Sequence, residues 1–445
     1  MLGAVEFRPN PGRGELPPFS LTPALSRWER ERRTPRWVGA NVRGVTPRLR
    51  GCSLSQRERV RVRVNGRKFY RRSMVVGMSG ARRWLLYSVL MISAILASGA
   101  NPAALKPDRV DAAVGRAVAF LVSAQDRDGS INESDKRHNY NYPMTALGIM
   151  ALAAVGHQPT DKTPEGLALR RALDFLLRPV ADGSDRAPYP GYLGGGDASR
   201  MYGHGITTLA LTEMLGMGVD KQQDALLRDR CQRAVELILR SQRSKKFDPR
   251  YAGGWRYTPE SPDADLSISV WQVMALRSAK NAGLAVPKEA IDGAVAFLKR
   301  SYDSPRDAAG RVTNLKSGCG YTPGQPTHFA MAAAGLLALQ VCGQYDAPEA
   351  LGSANWLRER RLSYDEKWFF YGTYYYAQGM QKRGGDFAAI ARQSTEEILL
   401  ERQNPDGSWL GNDGQERGMA GKAYCTSLAV LSLSVKYHYL PIYQD

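Results

Sequence analysis

The sequence predicts an all-α protein, an α/α toroid in which about six helix pairs close into a ring within a single domain. A unit of two helices recurs roughly every 60 residues, which is typical of helical repeat proteins. The first helix of each unit carries many charges, whereas the second is apolar on nearly all sides. Neither end of the array has the polar cap that an open solenoid needs, so a closed ring is favoured.

Small or hydroxyl-bearing residues mark the repeat in the apolar helices. Thr145, Thr207, Ser269 and Ala332 take matching positions, with spacings of 62, 62 and 63 residues, and Thr426 matches in the last unit. The charged helix of each unit is expected to face water, and the apolar helix is expected to form the core.

The six pairs follow one another along the chain. Outer helices are expected within residues 112–122, 169–177, 230–242, 289–302 and 394–403, inner helices within 145–156, 206–218, 268–279, 329–343 and 424–437, and a contracted fifth pair within 354–380. Turn residues separate them. Asp128 and Gly129 follow the first outer helix, and Gly283 and Pro287 end the third inner helix.

The formal charge of +18 belongs to the front of the chain. Residues 1–100 hold 20 of the 61 Lys and Arg residues but only 5 of the 43 Asp and Glu residues. A strongly basic domain would suggest an acidic partner such as nucleic acid. Because the remainder of the chain is nearly neutral, no nucleic-acid partner is expected.

Residues 1–73 are rich in Arg, Pro and Gly and show no sustained apolar period. Such composition cannot supply a packed core. We interpret this stretch as a non-native or disordered leader, with translation starting at Met74 or Met78.

Residues 74–100 have the pattern of a secretory signal peptide. Arg82 and Arg83 precede an apolar run over 84–96, and small residues follow it. The run is short for a membrane span, so membrane contact is expected only if this segment stays uncleaved. The toroid domain, residues 101–445, is therefore expected in the periplasm or outside the cell.

Four cysteines lie in the toroid domain, namely Cys231, Cys319, Cys342 and Cys425. An exported location permits disulfides, but four cysteines allow three full pairings and the sequence selects none. Their wide spacing matches no CxxC metal pattern.

Three units share a motif in which an apolar helix end is followed by Gln, a short turn, Gly and an aromatic position. It stands as AVAFLVSAQDRDGSI, AVELILRSQRSKKFDPRYAGGW and EILLERQNPDGSW, with Gln125, Gln242 and Gln403 at the Gln position, Trp255 and Trp409 at the aromatic one, and Ile131 in its place in the first. The motif resembles the repeats of the terpenoid cyclase and protein prenyltransferase superfamily, over roughly residues 108–440. The resemblance implies that the Gln amide bonds backbone groups and that the Trp ring braces neighbouring units.

The inner helices of a toroid begin near one mouth of its central cavity, with their positive dipole ends there. Residues near the starts of these helices are therefore the first candidates for a ligand cavity: Tyr142, His204, Trp255, Tyr257, His328, Tyr371, Tyr374 and Cys425. Aromatic side chains there could hold an apolar chain, stack on sugar rings or simply pack the ring.

The turn Asp263-Ala264-Asp265 resembles the Asp-x-Asp-Asp motif of class II terpene cyclases, with Leu266 in the fourth position. That resemblance implies Asp265 as the catalytic acid and Asp263 as its support. The alternative is an N-cap, in which either carboxylate accepts amide bonds at the start of the helix. In the repeat alignment, Asp265 is equivalent to His328.

The resemblance to protein prenyltransferases also suggests a zinc site. Asp265, His204, His328 and Cys425 have suitable ligand types. The local zinc sequences of that family are absent, so the metal ligands stay unassigned and no cofactor is expected.

Three functions remain open from the sequence. The first is an exported squalene cyclase- or prenyltransferase-like protein that binds an isoprenoid or other apolar small molecule, with or without cyclase-like activity. The second is a non-catalytic binding or scaffold toroid, and the third is a polysaccharide-active toroid enzyme, which needs a paired acid and base. A cavity of apolar aromatics favours the first, a filled ring the second, and a cavity with Arg, His and carboxylates the third.

Overall fold

The structure, a computed structural model, describes residues 108–132, 140–178, 189–412 and 414–437. Within them the chain forms six helix pairs: α1 (Arg109–Ser123) with α2 (Asn141–Ala154), α3 (Pro164–Leu177) with α4 (Arg200–Glu213), α5 (Lys221–Gln242) with α6 (Leu266–Asn281), α7 (Lys288–Arg300) with α8 (Phe329–Val341), α9 (Pro348–Arg358) with α10 (Phe369–Arg383), and α11 (Gly385–Arg402) with α12 (Gly421–Leu433). The predicted leader and signal segment lie outside the described residues.

Short helical turns complete the described part of the chain. They are Pro249–Tyr251 and Ser434–Tyr437, both 3-10 helices, and the π-helical turn Glu416–Ala420. Extended backbone occurs there only as isolated bridges, for example between Trp255 and Asp265. None of the described helices is both long and apolar enough to cross a bilayer.

The two helices of a pair differ in burial as the sequence predicts. All 13 residues of α8 are buried, whereas α7 buries one face, made of Ala290, Ile291, Ala294, Phe297 and Leu298. An outer helix needs one apolar stripe, and an inner helix needs apolar residues on all sides. The odd-numbered helices are therefore the outer layer and the even-numbered helices the inner layer.

The inner helices close into a ring. Each packs on the inner helix before and after it, and α12 packs on both α1 and α2. At the junction, Gln403 Nε2 donates to the Ala113 carbonyl at 2.8 Å, and Lys436 Nζ lies 2.5 Å from a carboxylate oxygen of Asp108. The predicted α/α toroid is thus confirmed.

The Gln residues of the repeated motif join adjacent units. Gln242 Nε2 donates to the Gly253 carbonyl at 3.0 Å and to the Ala290 carbonyl of the next outer helix at 2.8 Å. The other two bridges join Gln125 to Gly129 and Ala168, and Gln403 to Gly407 and Ala113. The predicted contact of the Gln amide with backbone groups is confirmed.

The glycine of this motif is required by its backbone and its neighbour. Gly253 has φ +84°, and a Cβ there would lie 2.1 Å from the Gly293 carbonyl oxygen. Gly407 has φ +85°, and a Cβ there would lie 2.4 Å from the Arg116 carbonyl oxygen. Only glycine adopts this conformation and admits this approach without strain.

The aligned hydroxyl residues make one recurring hydrogen bond. Thr145, Ser269 and Thr426 accept the backbone N–H of Ile131, Trp255 and Trp409 at 2.9, 2.9 and 3.0 Å, respectively. The buried Trp255 indole N–H then donates to the Ile238 carbonyl at 2.9 Å. The motif therefore ties its own loop to both helices of the unit.

Aromatic side chains fill the interior of the ring. Trp271 on α6 and Tyr375 on α10 have ring centroids 6.3 Å apart, although these two helices are not neighbours in the ring. Tyr374 packs on Tyr375 at 5.0 Å, and all three side chains are fully buried. These residues pack the interior below the mouth at which the inner helices begin.

Candidate functional site

A cavity of about 400 Å³, here called the mouth cavity, opens where inner helices begin. Its aromatic wall consists of Tyr202, Tyr257, Tyr321, Phe329, Trp368 and Tyr371. Its polar lining consists of Ser267, His328, Glu366, Lys367 and Gln415, and Ala330 and Met331 complete it. Of the predicted cavity residues, Tyr257, His328 and Tyr371 are therefore brought together.

His204 lies outside this lining and is fully buried. Its Nδ1 accepts the Leu193 N–H at 3.2 Å, so Nε2 carries the proton and donates to the Ala234 carbonyl at 3.1 Å. Burial lowers the pKa of His204 to about 4, which keeps the ring neutral at neutral pH. Both ring nitrogens are thus used within the fold.

The other predicted cavity residues also lie outside the lining: Tyr142, Trp255, Tyr374 and Cys425. The Tyr142 ring packs on Phe175 at 5.6 Å, and the Cys425 thiol lies 3.7 Å from the Glu416 carbonyl oxygen. None of the four cysteines in the described residues forms a disulfide. These side chains pack the ring behind the cavity wall.

Asp265 is fully buried and caps α6. Its Oδ1 accepts the Ile268 N–H at 2.8 Å and the Ser267 hydroxyl at 2.6 Å. Its Oδ2 accepts the Tyr321 hydroxyl at 3.2 Å and lies 3.3 Å from Arg256 Nε. The N-cap interpretation of this residue is confirmed.

The Asp265 carboxylate reaches the mouth cavity only through other side chains. Ser267 and Tyr321 line the cavity and both donate to Asp265, which is not part of the lining. The Tyr202 hydroxyl hydrogen-bonds Ser267, and the Tyr257 and Tyr321 hydroxyls are 2.5 Å apart. A ligand in the cavity would therefore contact hydroxyl groups, with the carboxylate behind them.

Arg256 forms ion pairs with both aspartates of the turn Asp263-Ala264-Asp265. Its guanidinium lies 3.5 Å from an Asp263 oxygen as well as 3.3 Å from Asp265, and it stacks over the Tyr257 and Tyr321 rings at 5.1 and 5.4 Å. Burial raises the pKa of Asp265 to about 6, and Arg256 acts in the opposite direction. The carboxylate is therefore mostly ionised at pH 7.

The start of α8 forms a different part of the wall. His328 is the N-cap residue, but its side chain makes no bond to the helix. The pKa of His328 is lowered, first by partial removal from water and then by the Lys367 ammonium group. Glu366, next to that lysine, accepts from Arg360 at 3.0 Å. This side of the cavity has a neutral imidazole, an ammonium group and a carboxylate that is already paired.

Two further buried carboxylates accept backbone amides at the starts of inner helices, and neither was predicted from the sequence. Glu416 accepts the Phe370 and Tyr371 amides of α10 at 3.2 and 3.0 Å. Asp197 accepts the Tyr142 amide of α2 at 3.0 Å. Burial raises the pKa of Asp197 to about 6. The helices that these carboxylates cap are 45 or more residues away along the chain, so no local pattern marks them.

No group of three or more His, Cys, Asp or Glu side chains that could hold a metal ion occurs in the residues that the structure describes. The four suggested zinc ligands therefore do not converge. His204 and Asp265 are bonded within the fold, and His328 lines the cavity.

Comparison with solved structures supports the ring architecture. Two ligand complexes of the α-1,6-mannanase GH76A from Salegentibacter sp. HEL1_6 give TM-scores of 0.52 and 0.51 at 10% and 11% identity, covering 75% of this chain and 99% and 100% of theirs. The type II terpene cyclase MstE from Scytonema gives 0.47 at 14% identity, covering 75% of this chain and 99% of its own. No protein-family model and no curated protein sequence matches the chain. At such identities the likeness to the two mannanase complexes shows the α/α toroid fold alone.

Proposed function

We propose that this chain is a non-catalytic, ring-shaped binding protein whose mouth cavity holds a small molecule with an apolar body. One observation carries the proposal. The Asp265 carboxylate caps α6, pairs with Arg256 and lies behind Ser267 and Tyr321, so it has no direct access to a ligand. The sequence resemblance to terpenoid cyclase repeats supports a common ring architecture.

A cyclase-like activity has less support. Protonation of an alkene or epoxide needs a strong acid that is protonated and touches the substrate. Asp265 pairs with Arg256 and is not part of the cavity lining, and Asp263 shares Arg256 with it. The side chain in the fourth motif position is the buried Leu266, and Trp271 packs the interior below.

A polysaccharide-active enzyme has less support as well. Glycosidases use two carboxyl groups that flank the bond to be cleaved. Among the described residues that line the mouth cavity, Glu366 is the one carboxylate, and it is bonded to Arg360.

The size and lining of the cavity suit a small ligand. Its volume of about 400 Å³ falls within the range usual for small-molecule sites. Six aromatic side chains offer apolar contact, and several hydroxyl groups offer orientation. Export through the predicted signal segment, residues 74–100, remains part of the proposal, as does the absence of a nucleic-acid partner.

The test combines native mass spectrometry with an activity assay. The purified domain should carry a bound small molecule, and Trp368→Ala should weaken its retention. Squalene and α-1,6-mannan should be recovered unchanged from the wild type and from Asp265→Asn. Asp292→Asn, on the exposed face of α7, is the matched control. Turnover that Asp265→Asn abolishes and Asp292→Asn leaves intact would overturn the non-catalytic assignment.

A further inference from the structure

We infer that the ligand of the mouth cavity is a carboxylic acid with an apolar body, whose carboxylate binds at the N-terminus of α8 beside Lys367. The inference rests on the proposed binding function and names its ligand class.

The first turn of α8 leaves three amide donors unused. Phe329, Ala330 and Met331 line the cavity and are at most 3% exposed, and their N–H groups have no acceptor among the described residues. Buried amide groups that lack a partner are costly. Because the helix dipole adds partial positive charge there, an anion is the acceptor that fits best.

At the starts of three other inner helices, a carboxylate of the protein accepts a backbone amide. Asp197 accepts an amide at the start of α2, Asp265 at the start of α6 and Glu416 at the start of α10. Each of these helix ends is supplied with a carboxylate by the protein. The start of α8 instead opens into the mouth cavity, so the corresponding carboxylate would come from the ligand.

The side chains around this helix end favour negative charge. Lys367 lines the cavity, is exposed and forms no ion pair with any described residue. Glu366 is bonded to Arg360, which offsets its charge. At the His328 ring the effect of Lys367 on the pKa exceeds the opposite effect of Glu366. Lys367 is therefore the charge on this wall that no described carboxylate offsets.

A second unused donor belongs to the same cavity. Tyr371 lines it and is fully buried, and its hydroxyl has no partner at hydrogen-bonding geometry, although the Tyr375 hydroxyl lies near it. Burial raises the pKa of Tyr371 well above its usual value, so the hydroxyl stays a donor. An oxygen of the ligand would satisfy it.

The charge available selects a monoanion. One lysine and one helix end supply roughly one and a half positive charges. A diphosphate would bring more negative charge than these groups offset, and uncompensated charge in a partly buried site is costly. The aromatic side chains of Trp368 and Phe329 then take the apolar body of the acid.

Three probes of one shape test the charge preference by isothermal titration calorimetry: 2-naphthylacetate, 2-naphthylacetamide and 2-(2-naphthyl)ethylammonium. We expect the acid to bind at least about tenfold more tightly than the amide, and the amine to bind most weakly. Equal affinity of amide and acid would overturn the inference and leave the proposed binding function standing. No binding of any probe at about 1 mM would overturn both.

Substitutions of Lys367 test whether this lysine causes the preference for the acid over the amide. Lys367→Gln should reduce the preference for the acid over the amide to the smaller part that the α8 N-terminus contributes, whereas Lys367→Arg should retain the full preference. The control is Lys280→Gln, an exposed lysine at the C-terminal end of α6, which should change nothing. An acid preference that is as large in Lys367→Gln as in the wild type contradicts the assignment of this lysine.

A second variant fills the site from within the protein. His328→Asp places a carboxylate at the N-cap of α8, where the extended backbone (φ −141°, ψ 162°) suits a capping residue. The melting temperature should rise, and acid binding should fall at least about tenfold while amide binding persists. Since this variant is expected to be more stable, lost binding would not reflect misfolding. Acid binding as tight as in the wild type would overturn the inference.

Discussion

The N-termini of α6 and α8 are neighbours in the ring and take the same place in the repeat, yet they are built in opposite ways. Asp265 precedes α6 and is fully buried, with its carboxylate bonded to an amide, two hydroxyl groups and a guanidinium group. His328 precedes α8, is exposed and makes no side-chain bond to the helix. One helix end thus serves stability, whereas its neighbour is left open towards a cavity.

This difference separates the acidic motif from the candidate site. The sequence predicted a catalytic role for Asp263 and Asp265 because their turn resembles the acidic motif of class II terpene cyclases. In the structure they share Arg256 and support the wall. The groups that a ligand can contact come from several units, including Ser267 at the start of α6, His328 at the start of α8 and Lys367 before α10. Four substitutions or conditions break or sharpen the comparison.

The largest effect is expected from Asp265→Ala. This change removes the cap of α6, leaves the Ser267 and Tyr321 hydroxyls without their acceptor and removes one partner of Arg256. The free energy of unfolding should fall by about 3 kcal/mol or more in urea denaturation. Asp292→Ala, which breaks an exposed pair with Lys288, should cost under about 1 kcal/mol. A similar loss in both variants would mean that Asp265 contributes no more stability than an exposed ion pair.

The pH dependence of stability is the next effect. Because burial raises the pKa of Asp265 from 3.8 to about 6, the folded state holds this proton where the unfolded state has released it. Its contribution is present below about pH 4 and is lost as the pH rises through about 6.

The stability of the wild type relative to Asp265→Asn should therefore fall by on the order of 2 kcal/mol between pH 4 and pH 7. Taking this difference removes the effects of Asp197, whose pKa is also raised to about 6, and of His204, whose pKa is lowered to about 4. A difference that does not change with pH would show that the Asp265 pKa is not raised.

Giving α8 a neutral cap is expected to have a smaller effect of opposite sign. His328→Asn supplies a side-chain acceptor for the unused amides and should raise the free energy of unfolding by about 1 kcal/mol. His157→Asn, in the turn after α2, should change stability little. No gain in His328→Asn during thermal unfolding would mean that the α8 amides are not short of an acceptor.

The smallest effect is expected from Tyr321→Phe. The hydroxyl contributes one hydrogen bond to Asp265, so its loss should cost about 1 kcal/mol or less. That bond also lowers the pKa of Asp265, so the midpoint of the pH effect should move upward in the variant. Tyr251→Phe, on the loop before α6, is the control and should leave the midpoint unchanged. A downward movement would contradict the assigned geometry.

The ring itself could be predicted from the sequence because its determinants are local and repeated. The aligned hydroxyls of Thr145 and Ser269 each bind a backbone amide 14 residues away, and Gln242 bridges to the next outer helix. Because these contacts recur in several units, the residues that make them follow the sequence repeat, whose period is near 62 residues.

The site could be predicted only in part because it depends on how separate units meet. Tyr257, His328 and Tyr371 were identified from their place before or within inner helices, and the structure brings them together. Trp368 was not among the predicted cavity residues, and its wall position depends on a left-handed backbone, φ 59°, ahead of α10. Glu416 caps a helix 45 residues away, a relation that no spacing in the chain reveals.

Because the ring is closed, the chain could begin at a different point and still form the same ring. Asp108 and Lys436, 328 positions apart, are held together by an ion pair, so the first and last described segments are neighbours in space. No unit of the ring is then structurally first or last. A circular permutant that joins residue 437 to residue 108 through a short flexible linker, and begins instead in the connection between α7 and α8, should fold to the same ring with the mouth cavity intact.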